Sequence, residues 1–257
     1  MNELTLFELK ANLKDLKLAA MRAEVESQLR HASETGIGYD DFLLELTALE
    51  SESRAANRLK LRIREAKFPQ LKSLESFYLE AVPELDIRMF RELISGEYIR
   101  EHRNVIFLGS SGTGKTHMAT ALGLEACKNN HKTRFVTCYG LVNELIEARE
   151  ERTLQRMLKR YRSYDLLILD ELGYIPFSRE GAELLFQVLA ERHEKGSVMI
   201  TTNLGFADWT QVFGDERMTA ALLDRLTHKA VIMNCSWQSY RLRQSLAQKE
   251  KKAEKEE

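Results

Sequence analysis

Gly109-Ser110-Ser111-Gly112-Thr113-Gly114-Lys115-Thr116 matches GxxxxGK(S/T) at every fixed position. Residues of these types at this spacing bind the phosphates of ATP. The glycines let backbone N–H groups turn inward and approach phosphate oxygens that a Cβ would obstruct. A helix starting at Lys115 would point its positive end at the same anion. Lys115 reaches the β- and γ-phosphates, and the Thr116 hydroxyl coordinates Mg2+.

A second site lies downstream. Asp170 and Glu171 follow the apolar run Leu166-Leu167-Ile168-Leu169. At the C-terminal edge of a central strand, where open α/β sheets bind ligands, Asp170 would hold Mg2+ through water. Glu171, one residue on, would orient and deprotonate the attacking water. A small-molecule kinase must exclude water instead, so the adjacent acids favour hydrolysis. Asn203 ends another apolar run, Val198-Met199-Ile200-Thr201-Thr202. It either contacts the γ-phosphate or the lytic water, or is a plain turn former. Arg217 and Arg225 lie in the helical stretch GDERMTAALLDRLTH. Each is suited to stabilise charge on a transferring phosphoryl group, on its own nucleotide or a neighbour's, and each is equally suited to a salt-bridged helix surface.

These groups need a scaffold. Five short apolar runs begin at Val105, Arg134, Leu166, Val198 and Val231, with little alternation. Such runs are buried on both faces, as parallel strands are, and helices between them imply an α/β domain. The phosphate loop has a strand pattern before it and a helix pattern, HMATALGLEACKNN, after it. Nothing before residue 104 alternates like a strand. Residues 1–30 repeat apolar positions at helical spacing through Leu6, Leu9, Leu13, Leu16, Ala20, Ala23 and Leu29, which predicts one helix. Glu34–Gly38 breaks it. A second helix is predicted from about Asp40 to Ala66, ending before Phe68-Pro69. A linker near Pro69–Pro83 follows.

Composition bounds the rest. The 257 residues are 44% hydrophobic and 30% charged, with a formal net charge of −1. A uniformly basic nucleic-acid binder is excluded, a local basic surface is not. Cys127, Cys138 and Cys235 share no metal-ligand spacing and read as buried thiols in a reducing cytoplasm. No export signal or membrane span is present. Two basic segments stand out. Arg54, Arg58, Lys60, Arg62, Arg64, Lys67 and Lys72 are opposed within their span only by Glu65. Arg149, Arg152, Arg156, Lys159, Arg160 and Arg162 follow a helix pattern between the second and third strands. Each run is either a solvated face or a surface for nucleic-acid phosphates. Aromatic interleaving is absent, so base stacking is not expected.

Taken together, GSSGTGKTHMATALG, YDLLILDELGYIPFSREGAELLFQVLAER, ITTNL, ALLDRLTH and SYRLRQS resemble the IstB-type helper ATPases of bacterial insertion sequences. The helicase loader DnaC and the initiator DnaA are more distant relatives of the same AAA+ type. The N-terminal LKDLKLAAMRAEVESQL and NRLKLRIREAKFP also resemble that family's helical module, so the likeness covers nearly the whole chain. It implies a sheet in which the Asn203 strand lies between the Lys115 and Asp170 strands. It makes Asn203 sensor 1, and Arg225 an arginine finger acting across a subunit interface. It also favours DNA contact for the run ending at Arg162. Too few residues follow the Val231 strand for a full helical lid with its usual sensor-2 arginine, for which Arg241 is a weak substitute.

The expectation is therefore an α/β protein: an AAA+ P-loop ATPase domain with a parallel five-stranded sheet over residues 81–245. A small all-helical N-terminal module over 1–80 would contact partner or DNA, with little or no C-terminal lid and a charged tail over 246–257. With ATP and Mg2+ it would assemble as a homo-oligomer on duplex DNA, remodel it, and recruit or stimulate the transposase of the same element in the cytoplasm. The alternatives are a DnaC-type helicase loader, a small-molecule kinase, and an ATP-gated DNA-binding scaffold.

Overall fold

Lys17 breaks the first helical stretch. In the computed structural model, which describes residues 3–76, 82 and 84–239, the single helix expected over residues 1–30 is two: α1 (Glu3–Asp15) and α2 (Ala19–Thr35). Lys17 takes a left-handed φ of 57°, and the Leu18 N–H bonds back to the Leu13 carbonyl at 2.9 Å. That six-to-one bond closes a helix end. The apolar period runs on across the turn, which is why the sequence reads as continuous. α2 ends at left-handed Gly36, as expected, and α3 spans Tyr39–Ala66. Leu13, Val25 and Leu46 form a small core with half-buried Leu6, Leu9, Met21, Leu29 and Phe42 around them. Glu50 of α3 accepts the N–H groups of Ala20 and Met21 at 2.8 and 3.1 Å, capping α2 from outside its own sequence.

The chain forms two compact units, one through Leu61 and the other from Arg62, so α3 contributes to both. The second unit holds all five expected strands: β1 (Val105–Gly109), β2 (Thr133–Thr137), β3 (Leu166–Leu172), β4 (Ser197–Thr202) and β5 (Val231–Cys235). Their order is β2-β3-β4-β1-β5, and every neighbouring pair is parallel. β4 lies between β1 and β3, as the resemblance implied. Helices α4 (Ile87–Ile94), α5 (Glu97–Arg100) and α6 (Lys115–Lys128) cover one face. α7 (Cys138–Glu150), α8 (Leu154–Arg162), α9 (Arg179–Arg192), α10 (Trp209–Phe213) and α11 (Glu216–Thr227) cover the other. Leu166 and Ile168 of β3 pack toward the first set, Leu167 and Leu169 toward the second. Both faces are dry, which explains the unbroken apolar runs.

Arg192 ties one sheet end together. Its buried guanidinium donates to the carbonyls of Tyr161 (2.7 Å), Tyr164 (2.8 Å), Asp165 (3.3 Å) and Ser197 (2.8 Å). Burial pulls it down to about 10, opposed by Asp165, so it keeps its charge at neutral pH. The end of α8, the starts of β3 and β4 and the last turn of α9 therefore meet at one cation.

One expectation needs correction. The basic stretch 149–162 is not one helix: Arg152 is left-handed (φ 58°) and α8 restarts at Leu154. The residue just before the predicted linker is packed. Phe68 stacks edge-on against Phe135 at 6.2 Å, and Gly123 in α6 makes room for it, since a Cβ there would meet Phe68 and Ile168. Leu74–Ser76 forms one 3-10 turn. Pro83, Arg241 and the charged tail 246–257 lie outside the described residues. Among the described residues, no helix is long and apolar enough to cross a membrane.

Candidate active site

The phosphate loop leaves β1 at Gly109 and enters α6 at Lys115. Gly109 has φ 152°, and a Cβ there would overlap the Cys235 carbonyl at the end of β5. Only glycine allows this close approach. The next anchor is Trp237, whose Nε1–H donates to the Thr113 carbonyl at 2.8 Å. The Thr113 hydroxyl closes the loop onto the Ser110 carbonyl at 2.9 Å. Lys115 Nζ lies within the loop's curve, 2.6 Å from the carbonyls of both Gly109 and Ser110. Burial pulls its ammonium below the usual lysine range, while Cys235 and Asp170 push the other way. Gly114 precedes α6 with no side-chain cap, leaving the helix start to ligands.

Thr116 brings the two motifs together. Its hydroxyl lies 3.0 and 3.3 Å from the two carboxylate oxygens of Asp170. Asp170 is 4% exposed. The β3–β4 ladder pairs Leu169 with Ile200 and then Leu172 with Thr202. Between those pairs β3 carries one extra residue, a β-bulge. Glu171 occupies it with φ 61°, and its side chain is exposed while Asp170 stays buried. The Glu171 N–H, without a ladder partner, donates to Thr201 Oγ1 at 3.0 Å. Asn203 follows directly on β4 and is exposed at the same strand ends.

Arg225 lies elsewhere. It is half-buried near the end of α11, with Nη1 on the Ala221 carbonyl at 2.7 Å and its guanidinium 5.5 Å from the centre of the Phe186 ring. It lines a hollow with His102, Asn104, His193 and His228. Asn104 precedes β1 and donates to the Leu226 carbonyl at 3.0 Å. Arg225 is therefore at the strand starts, whereas the loop is at the strand ends. Arg217 is exposed in the first turn of α11.

The two basic runs differ in how their cations are held. α8 buries Leu158 and Tyr161 and exposes Arg156, Lys159, Arg160 and Arg162, with no acid in the helix. Arg149 is paired with Glu180 at 2.9 Å. In the N-terminal run Arg54 is held by Glu50 at 2.8 Å and by the Lys17 carbonyl at 2.9 Å. Arg62 reaches Asn130 at 3.4 Å; Arg58 and Arg64 are exposed.

Comparison with known proteins decides the family. Residues 11–248 match the family described as IstB-like ATP binding protein. The chain belongs to the IstB family. An IS21 insertion-sequence ATP-binding protein of Pseudomonas aeruginosa is 38% identical to this IstB chain over 237 residues, covering 92% of it and 89% of the relative. One from IS5376 of Geobacillus stearothermophilus is 36% identical over 236 residues, covering 92% and 94%. Among solved structures, AMPPCP-bound DnaA from Aquifex aeolicus matches with a TM-score of 0.55 at 19% identity, covering 66% of this chain and 51% of DnaA. That likeness gives the fold, AAA+. The IstB chain is thus an AAA+ ATPase of the insertion-sequence type.

Sequence reasoning missed two supports of its site. Thr201 was visible only as part of an apolar run, although two threonines at the end of a buried strand are a polar signal. Trp237 lies 124 residues from its Thr113 partner, and nothing local links them. His117 adjoins the phosphate loop in sequence, but its ring nitrogen meets Ser76 at 3.1 Å and the Ser73 carbonyl at 3.3 Å, away from the loop.

Proposed function

We propose that this IstB chain is an ATP-driven transposition helper that assembles on duplex DNA and acts on the transposase of its own element. The observation that carries the reading is the meeting of Thr116 with Asp170, together with the placement of Arg225 at the far strand edge. The first is a hydrolytic site. The second is a finger that needs a neighbouring subunit's nucleotide.

The residues fit a magnesium nucleotide. A hydroxyl and a buried carboxylate 3.0 Å apart are hard oxygen donors suited to Mg2+. Thr116 and Asp170 would hold the ion, which would supply positive charge against the charge that develops on the phosphates. The loop amides and Lys115 hold the phosphates. Glu171 Oε accepts the proton of the attacking water. Asn203 orients that water or the γ-phosphate. Arg225 from an adjacent subunit stabilises the charge on the transferring phosphoryl. The outward face of α8 contacts DNA phosphates without reading sequence, with Arg58, Arg62 and Arg64 as a second set. The N-terminal module over 1–80 grips the transposase. The insertion-sequence names of the relatives support a transposase over a helicase as partner.

The test is mass in solution. With ATP and a duplex, the chain is expected to form a stable multi-subunit complex; with ADP or without DNA it is not. A single-chain mass under every condition, with ATP turnover intact, would sink the assembly reading.

A further inference from the structure

Thr201 is 2% exposed and belongs to neither motif. Its hydroxyl donates to Asp170 Oδ1 at 2.5 Å and accepts the Glu171 N–H at 3.0 Å. A threonine hydroxyl has one proton to give and lone pairs to receive, so both bonds are made at once. We propose that Thr201 is a positioning residue that sets the Mg2+-binding carboxylate and the catalytic base from a single oxygen in the β3–β4 bulge. The proposal rests on the ATPase reading of Asp170 and Glu171.

The bulge is where the two bonds matter. A regular parallel pair would give residues 170 and 171 ladder partners on β4; here the register jumps from Leu169↔Ile200 to Leu172↔Thr202. The extra residue adopts φ 61°, a conformation unfavourable for glutamate. What compensates is the Thr201 bond to its N–H, since an enclosed and unmet N–H is costly. Thr202 supports the far side, its hydroxyl donating to the Leu172 carbonyl at 2.8 Å. Consecutive hydroxyls on β4 thus do the pairing that the ladder omits. Asp170 is gripped on two sides: Thr116 approaches from α6 and Thr201 from β4. Thr201 bonds Oδ1, while Oδ2 is met by Thr116 at the longer 3.3 Å. One buried hydroxyl thus ties the carboxylate of Asp170 to the backbone of Glu171.

Partners of this kind, one layer behind a metal ligand, affect metal affinity or activity by about 10- to 100-fold. Thr201→Val keeps the shape and β-branching and removes both bonds; Thr201→Ser keeps the hydroxyl. The readouts are Mg2+ half-saturation of mant-ATP binding, kcat and KM for ATP, and hydrogen exchange at the Glu171 amide. For Thr201→Val, metal-free mant-ATP affinity should stay within about twofold, Mg2+ half-saturation should rise about tenfold or more, and kcat should fall about 10- to 100-fold. The Glu171 amide should exchange faster. Thr201→Ser should restore all three. A folded Thr201→Val with wild-type Mg2+ half-saturation and kcat overturns the proposal, and so does a serine variant as impaired as valine. Should the valine variant not fold, wild type decides alone: a Glu171 amide exchanging as fast as an open loop overturns the assignment. Asp170→Asn separates the premise. If it leaves Mg2+ half-saturation unchanged, the metal reading fails and takes the proposal with it.

Discussion

Arg225 and Lys115 stand at opposite ends of β1. The five residues of that strand, at about 3.3 Å each, keep the α11 guanidinium away from its own phosphate loop. Arg225→Ala is accordingly expected to bind ATP normally and to lose hydrolysis and assembly together. Mixing it with Lys115→Ala should recover part of the turnover, because some junctions then join an intact finger to an intact loop. No recovery in oligomers shown to be mixed would move the role to another residue, with Arg217 next.

Lys115→Ala removes the flexible cation inside the loop. Charge-assisted hydrogen bonds contribute about 1.5–3 kcal/mol, and about 1.4 kcal/mol is tenfold in affinity. ATP binding should weaken by at least about 10- to 100-fold in a direct titration. Near-normal affinity would contradict the loop assignment.

Glu171→Gln keeps the shape and removes the base. ATP should bind, and turnover should fall by about 10²–10⁴. Complexes on DNA should outlive those of wild type, since the nucleotide persists. A rate within a few-fold of wild type would remove Glu171 from the chemistry. The same variant answers the scaffold alternative, in which loss of hydrolysis leaves transposition untouched.

α8 presents cations on one face only, so charge reversal there should leave the fold intact. Arg156, Lys159 and Arg160 changed together to Glu should abolish duplex binding while leaving ATP binding as it was. Across a salt series the slope of log affinity against log salt should shrink by up to about 3, roughly 0.9 for each phosphate that is no longer neutralised. An unchanged slope would make α8 a solvated face. The same reversal at Arg58, Arg62 and Arg64 should give a smaller DNA defect or weaken the grip on the transposase.

Much of this molecule was readable in advance, and the reasons are physical. The phosphate loop is contiguous, so its chemistry and spacing are written in one stretch. The five strands are buried on both faces, which leaves apolar runs with no other explanation. The turn at Lys17 was hidden because apolar spacing continues across it, and both Lys17 and Arg152 take left-handed conformations that sequence favours elsewhere, at glycine. Thr201 was hidden because its partners lie on another strand at a bulge. The placement of Arg225 came from the family resemblance; spacing alone left it level with any surface arginine.

The four carbonyls held by Arg192 come from residues no more than 31 positions away, whereas the phosphate loop depends on Trp237, 124 positions from its partner. Short loops close at lower entropic cost, and local contacts form sooner. The β3–α9–β4 segment is thus expected to be in place early in folding, and the nucleotide pocket last. During synthesis the consequence is a delay. A nascent chain that has emerged only as far as α11 already possesses its phosphate loop and both acids, yet it lacks β5 and the tryptophan beneath the loop. It should not retain ATP until residues through Trp237 have left the ribosome, so the order of synthesis keeps the enzyme silent until β5 and its tryptophan are in place.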